Sequence, residues 1–391
     1  MNLISQESAQ REKKADIITL FLCGDVMTGR GIDQILAHPS DPVIHEGYMK
    51  DARGYVEIAE KLNGPIPRSV APGYIWGDVL DELKRVAPDL RIINLETSVT
   101  KSDDYWKGNR MHPENIDCIT AARIDVCSLA NNHVLDWGYS GLKETLETLR
   151  KAKIRGVGAG MNFKEAEAPA IEEIGKKGRV VVFSLGSPTS GVPLSWAASD
   201  TRPGISLLRD FSDQTVQRIR ERVQEVKRES DIVVVSIHWG GNWGYRVPQE
   251  EIDFAHQLID RARVDIIHGH SSHHVKGIEV YQDRPILYGC GDFLNDYEGI
   301  GGYEYYRADL GLMYFASMDP STGKLVRLQM IPTQIKHFKV NRASKEDAIR
   351  LADILNREGK KFGTRVKWSE DNVLTLLWGE APSIVAKKGH S

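Results

Sequence analysis

Short, nearly continuous apolar runs recur along the chain, and each stops at a polar residue. Ile17-Ile18-Thr19-Leu20-Phe21-Leu22-Cys23 runs into Gly24-Asp25. Leu90-Arg91-Ile92-Ile93-Asn94-Leu95 runs into Glu96, and Asp125-Val126-Cys127-Ser128-Leu129-Ala130 into Asn131-Asn132-His133. Ile232-Val233-Val234-Val235-Ser236-Ile237 meets His238, Val264-Asp265-Ile266-Ile267 meets His268, and Ile286-Leu287-Tyr288 meets Gly289-Cys290-Gly291-Asp292. Runs this short and this apolar predict strands buried on both faces. Helical patterns lie between them, at 78–84, 141–152, 215–229 and 248–262. In the second of these, Leu142, Leu146 and Leu149 share one face. In the fourth, Pro248 and Gln249-Glu250-Glu251 suit a helix N-terminus. Strands alternating with helices predict an α/β architecture.

Three segments break the rhythm. Residues 1–15 read as a flexible tail. Residues 37–75 are rich in Pro, Gly, His and Tyr and too long for an ordinary connection, so they read as a functional loop or small insertion in a domain spanning 16–340. Apolar runs at 311–315 and 325–332 flank Pro320-Ser321-Thr322-Gly323, a hairpin signal. Beyond it, 341–391 reads as a helical extension, with 344–359 as its helix and 386–391 as a frayed tail.

Composition narrows the class. Hydrophobic residues make up 41% and charged residues 27%, ordinary for a globular chain. The net charge of −3 provides no basic footprint for nucleic acid. No apolar run reaches membrane-span length, and the polar N-terminus lacks a secretory core, so the expected location is the cytoplasm with no membrane anchor. The four cysteines form no C-x-x-C pair and read as buried apolar residues.

The polar stops carry the chemistry. Four of the twelve histidines fall within residues 268–274. Asp25, Glu96, Asn132, His238 and the His268/His270 pair stand at five successive strand ends. Asp and Asn also serve turns there for backbone reasons, but five donor-bearing strand ends together read as a metal site. Carboxylates, an amide oxygen and imidazoles without thiolate suit Mn, Fe or Zn, with Mg or Ca less favoured. The set is large enough for one or two divalent ions.

The motifs Gly24-Asp25-Val26-Met27-Thr28-Gly29-Arg30, Asn94-Leu95-Glu96, Ala130-Asn131-Asn132-His133-Val134-Leu135-Asp136-Trp137-Gly138, His238-Trp239-Gly240 and His268-Gly269-His270 resemble, in this order, those of the CapA family. These are the capsule, or poly-γ-glutamate, synthesis proteins of the calcineurin-like metallophosphoesterase superfamily. The resemblance covers roughly 17–335. It implies a four-layer α/β/β/α sandwich of two mixed sheets flanked by helices, with the site at strand C-termini. It further implies Asp25, Glu96, Asn132 and His238 as metal ligands, with Glu96 where the superfamily usually has a bridging Asp. The last pair joins His270 to His268 or His273, with His268 favoured and His273 then lining the site. His133 resembles the superfamily histidine that contacts the reacting phosphate or protonates the leaving group, and Asp136 is placed to orient it. One departure stands out: Met27 occupies the position of a usual imidazole ligand.

Substrate contacts are expected from Arg30, Arg110, His112, His273 and Asp292. Trp76, Trp106, Trp137, Trp239 and Trp243 lie near motif loops, some to wall a groove and most to pack the core. The expected function is a metal-dependent hydrolase acting on an anionic polymer, a peptide or a phosphoester. The alternatives are a peptide epimerase-like acid/base enzyme and a non-catalytic polymer- or peptide-binding subunit.

Overall fold

A computed structural model describes residues 17–379. The expected tails at 1–15 and 386–391 lie outside the described residues. Six strands carry the site: β1 (Ile18–Val26), β2 (Leu90–Leu95), β3 (Val126–Ser128), β4 (Asp231–His238), β5 (Ile266–His270) and β6 (Asp292–Leu294).

Two mixed sheets stack face to face. In the larger, β1 pairs in parallel with β2 and β6 and antiparallel with Leu310–Asp319, while β2 continues in parallel to β3 and Arg155–Val157. In the smaller, β4 lies between β5 and Arg179–Gly186, all parallel. Side-chain alternation explains why the runs look uniformly apolar. Leu20 and Leu22 of β1 face Val180, Val182, Ile232, Val234 and Ile266 of the opposite sheet. Phe21 and Cys23 point outward and are covered by Val56, Leu83, Leu142 and Leu149 from helices Arg53–Asn63, Val79–Val86 and Gly138–Lys151. On the other side, Val181, Val233, Val235 and Ile267 are covered by Val216, Ile219, Val223, Phe254 and Leu258 from helices Asp213–Val226 and Gln249–Ala262. These are the four layers expected. Each fully buried aliphatic side chain contributes about 1.5–3 kcal/mol.

Three differences from the sequence reading concern segments with little local signal. Arg179–Gly186 is a central strand of the smaller sheet, buried along its whole length, although no polar stop marked it. The 37–75 insertion is not all loop; it contains the helix Arg53–Asn63. The segment after 340 is not purely helical. Ser344 caps helix Lys345–Gly359 by accepting from the Asp347 backbone N–H, and strands Arg365–Trp368 and Leu374–Leu377 then extend the larger sheet.

Parallel pairing brings the strand ends that carry motifs to one edge of both sheets. There, between the layers, Asp25, Glu96 and Asn132 from one sheet meet His238 and His270 from the other. No helix among the described residues is long and apolar enough to cross a membrane.

Candidate metal centre

Register places the central side chains on common faces. Asp25 sits opposite Asn94 on β2 and Asp292 on β6. His238 sits opposite His270, and Ser236 opposite His268. Parallel partners point to the same side, so each trio or pair converges. The approach at Asp25 needs a glycine beside it: a Cβ on Gly24 would lie 1.7 Å from the Gly291 carbonyl oxygen. Asp25 N–H donates to that same oxygen at 3.0 Å.

Asp25 is 2% exposed. Its Oδ1 accepts from Asn94 Nδ2 at 2.7 Å, and its Oδ2 from the Ser271 backbone N–H at 3.1 Å. Oδ1 is also 3.8 Å from His270 Nδ1. One donor atom from each of Asp25, His238 and His270 lies within 4.8 Å of the others. Asn131 builds the neighbouring turn. Its Oδ1 accepts from the backbone N–H groups of His133 and Val134, both at 3.1 Å, while its Nδ2 donates to Asn94 Oδ1 and to the Leu95 carbonyl. That turn presents Asn132 and His133.

A second convergence follows. Asn132 Oδ1 is 3.1 Å from His238 Nε2, and Glu96 Oε1 is 3.8 Å from the same nitrogen. Turning the Asn132 amide over would instead put its NH2 group 2.8 Å from Glu96 Oε1. In either orientation Glu96 Oε1, the Asn132 amide and His238 Nε2 meet at one point, and with the amide oxygen inward the three form a donor set that suits a cation. The charge balance agrees. Burial pushes Asp25 up to about 7, with the Asp292 charge adding to it. Burial, then Asp25 and Asp292, raises Glu96 well above the carboxylate range. Burial holds His238 and His270 well below the usual imidazole range. Buried acids that resist ionisation next to neutral imidazoles lack a positive charge, and a divalent ion supplies one. The donor set fits such an ion: Asp25, His238 and His270 converge, and Glu96 and Asn132 lie beside His238 Nε2.

His133 stands at the rim. Its Nδ1 is 2.7 Å from Asp136 Oδ2, and its Nε2 is 3.7 Å from Glu96 Oε1. Burial lowers its pKa, opposed by Asp136, so the Nε2 lone pair faces the site at neutral pH. His273 is not directed to solvent. It pairs with Asp292 at 2.8 Å and stacks on Trp243, with ring centroids 5.2 Å apart. His274 is buried against Trp243, Tyr245 and Tyr306 rather than aimed at the centre.

Four expected residues lie elsewhere or are otherwise engaged. His268 is engaged away from the converging group: its Nε2 donates to the Cys23 carbonyl at 2.7 Å, and its Nδ1 is 3.1 Å from Ser236 Oγ. The β1–β2 ladder is interrupted between Leu22 and Asp25, which frees that carbonyl. Arg30 is committed to carboxylates of the chain itself. It is 7% exposed, pairs with Asp296 at 2.5 Å and Glu46 at 2.9 Å, and stacks on Tyr55 and Tyr297. Its Nη2 also reaches Met27 Sδ at 3.5 Å, so Met27 packs on Arg30. Arg110 donates to the carbonyls of Ser102 and Asp41 and lies 3.9 Å over the Trp137 ring. His112 caps a short turn by accepting from the Glu114 N–H. Among the tryptophans, Trp76 and Trp239 are core residues. All four cysteines are buried and unpaired.

The sequence did not single out Asn94, Asn131, Ser236 or Lys107. Asn94 and Ser236 each lie two residues before a donor at or just past the end of their strand, a signal that period-two alternation could have supplied. Lys107 carried none.

The model of the family described as bacterial capsule synthesis protein PGA_cap matches residues 19–297. A protein of Mycobacterium tuberculosis described as a probable polyglutamine synthesis accessory protein is 46% identical over 367 residues, 93% of this chain and 96% of its own length. The PGA biosynthesis protein CapA of Bacillus subtilis is 27% identical over 92% of this chain and 82% of its own. A crystal structure described as a novel phosphatase from Mycoplasma pneumoniae superposes with a TM-score of 0.46 and 12% identity, covering 81% of this chain and 93% of that one. The chain belongs to the bacterial capsule synthesis protein PGA_cap family, the family that its five ordered motifs resemble.

Proposed function

We propose that this protein is a metal-dependent hydrolase serving poly-glutamate or capsule synthesis, acting on an anionic substrate that carries a phosphoester or an amide. The observation that carries this reading is the convergence of Glu96 Oε1, Asn132 Oδ1 and His238 Nε2 within 3.8 Å, beside the His133–Asp136 pair. A bound divalent ion, with Mn, Fe or Zn suiting the donors, would supply Lewis acidity and an acidified water. The chain's own residues would do the rest. Asp136 holds the His133 Nδ1–H, which fixes the tautomer and leaves Nε2 to take a proton from the attacking group and return it to the leaving group. Asn94 and the Ser271 amide hold the Asp25 carboxylate in place. The names of the relatives support the polymer setting.

Elemental analysis after reconstitution with Mn²⁺, followed by assays on an aryl phosphate and on poly-γ-glutamate, tests the reading. The expected result is stoichiometric metal and turnover of one substrate, abolished by His238→Ala. A second reading, an accessory subunit without catalysis, is favoured by the description of the 46% identical relative as an accessory protein. Stoichiometric metal with no turnover of either substrate would support it.

A further inference from the structure

We propose that Lys107 is the residue that recognises the substrate's oxyanion, whether phosphoryl or carboxylate, and holds it above Asn132 and His133. This rests on the reading of the site as one for anionic substrates. Lys107 is exposed at the mouth, and its Nζ donates to the Asn132 carbonyl at 2.9 Å. An ammonium has three donors, so two remain for a ligand. Among the described residues no carboxylate lies within ion-pair distance of Lys107, whereas Arg30 and Arg110 have their donors committed. Its charge reaches the centre, acting on Glu96, His133 and His238 behind the larger effect of burial.

The loop carrying Lys107 is built onto the site. The backbone N–H groups of Trp106 and Lys107 donate to the Asp136 carbonyl at 2.8 and 3.0 Å. The Asn109 N–H donates to Asp136 Oδ2 at 2.7 Å, and Asn109 Nδ2 donates to the Glu96 carbonyl at 2.8 Å. Tyr105 Oη closes the loop onto the Lys107 carbonyl. Asp136, whose carboxylate orients His133, therefore also fixes through its backbone carbonyl where Lys107 leaves the chain. A flexible point charge suits oxyanions of differing shape, which a rigid guanidinium fork does not.

Isothermal titration of the full chain, metal-free and Mn²⁺-loaded, with inorganic phosphate in one arm and glutarate in the other, tests the assignment. The wild type should bind at least one anion, with an affinity that falls as salt rises. Lys107→Gln should weaken that binding about tenfold or more and flatten the salt dependence, while Lys107→Arg stays within a few-fold. The preferred anion separates the phosphoryl from the carboxylate source. Equal affinity of Lys107→Gln and wild type, or no binding of either anion by the wild type, overturns the proposal. A chain that holds no metal yet loses anion affinity on Lys107→Gln would instead sink the hydrolase reading and keep this one.

Discussion

His238 and His270 face each other through their Nδ1 atoms at 2.8 Å. The hydrogen-bond chain behind them sets which atoms carry protons. Burial holds His268 at about 4, so the ring is neutral. Its Nε2 must donate to the Cys23 carbonyl, which leaves Nδ1 to accept from the Ser236 hydroxyl. Ser236 Oγ in turn accepts from His270 Nε2 at 2.9 Å. His270 Nδ1 then bears a lone pair, which accepts from His238 Nδ1–H and leaves His238 Nε2 bare toward Asn132 and Glu96. The buried relay thus leaves the His238 Nε2 lone pair facing the centre, while the His270 Nδ1 lone pair is held by His238 Nδ1–H.

That relay predicts different costs for two histidines on one strand. His270→Ala should abolish binding at the Asp25 side of the centre. His268→Ala should leave the ligands in place but release Ser236 and the His270 tautomer, weakening metal affinity about 10–100-fold. Competition titration with a fluorescent chelator measures both. Equal loss in the two variants would place His268 among the ligands.

Asp25 trades stability for binding. Its native value of about 7 stands above an unfolded value of roughly 3.9. The native state therefore holds the extra proton between those values, and stability falls as pH rises through that window. Asp25→Asn should raise the melting temperature of the chelator-treated protein at about pH 8, by a free energy on the order of a few kcal/mol. The gain should vanish toward about pH 4, below the raised value. With Mn²⁺ added the order should reverse, since only the wild type gains from the ion. Melting curves across pH, with and without metal, check the sign; a variant less stable than wild type at pH 8 without metal would refute it.

His133→Asn should lower kcat about 10²–10⁴-fold with metal content unchanged, because the imidazole moves a proton without being needed to hold the ion. Parallel rate and elemental measurements decide this, and a loss of metal in step with activity would make His133 a ligand.

Arg30→Met should cost about 3–5 kcal/mol in stability, because it strands the fully buried Asp296 and the half-buried Glu46. The KM of the folded fraction should be unchanged. Chemical denaturation and steady-state kinetics separate the two; a raised KM at unaltered stability would return Arg30 to substrate binding.

The apolar runs and their polar stops determined which motif-bearing strands form, which edge gathers the motifs, and that Asp25, Glu96, Asn132, His238 and His270 arrive there together. Side-chain period is a local property, and each run reports it directly. Tertiary structure alone decided how each donor is spent. His268 and His270 share a strand face, but His268 lies about 6.6 Å deeper at the usual strand rise, where the freed Cys23 carbonyl claims its nitrogen. Arg30 looks available beside Asp25 in sequence, yet Asp296 and Glu46 return from distant segments to bind it. Lys107 carried no pattern of its own, because its place depends on Asp136 gripping its loop. A lone pair or a charge is free or committed according to its partners in space, and those partners lie 16 to 266 residues away along the chain for Arg30 and 245 for His268.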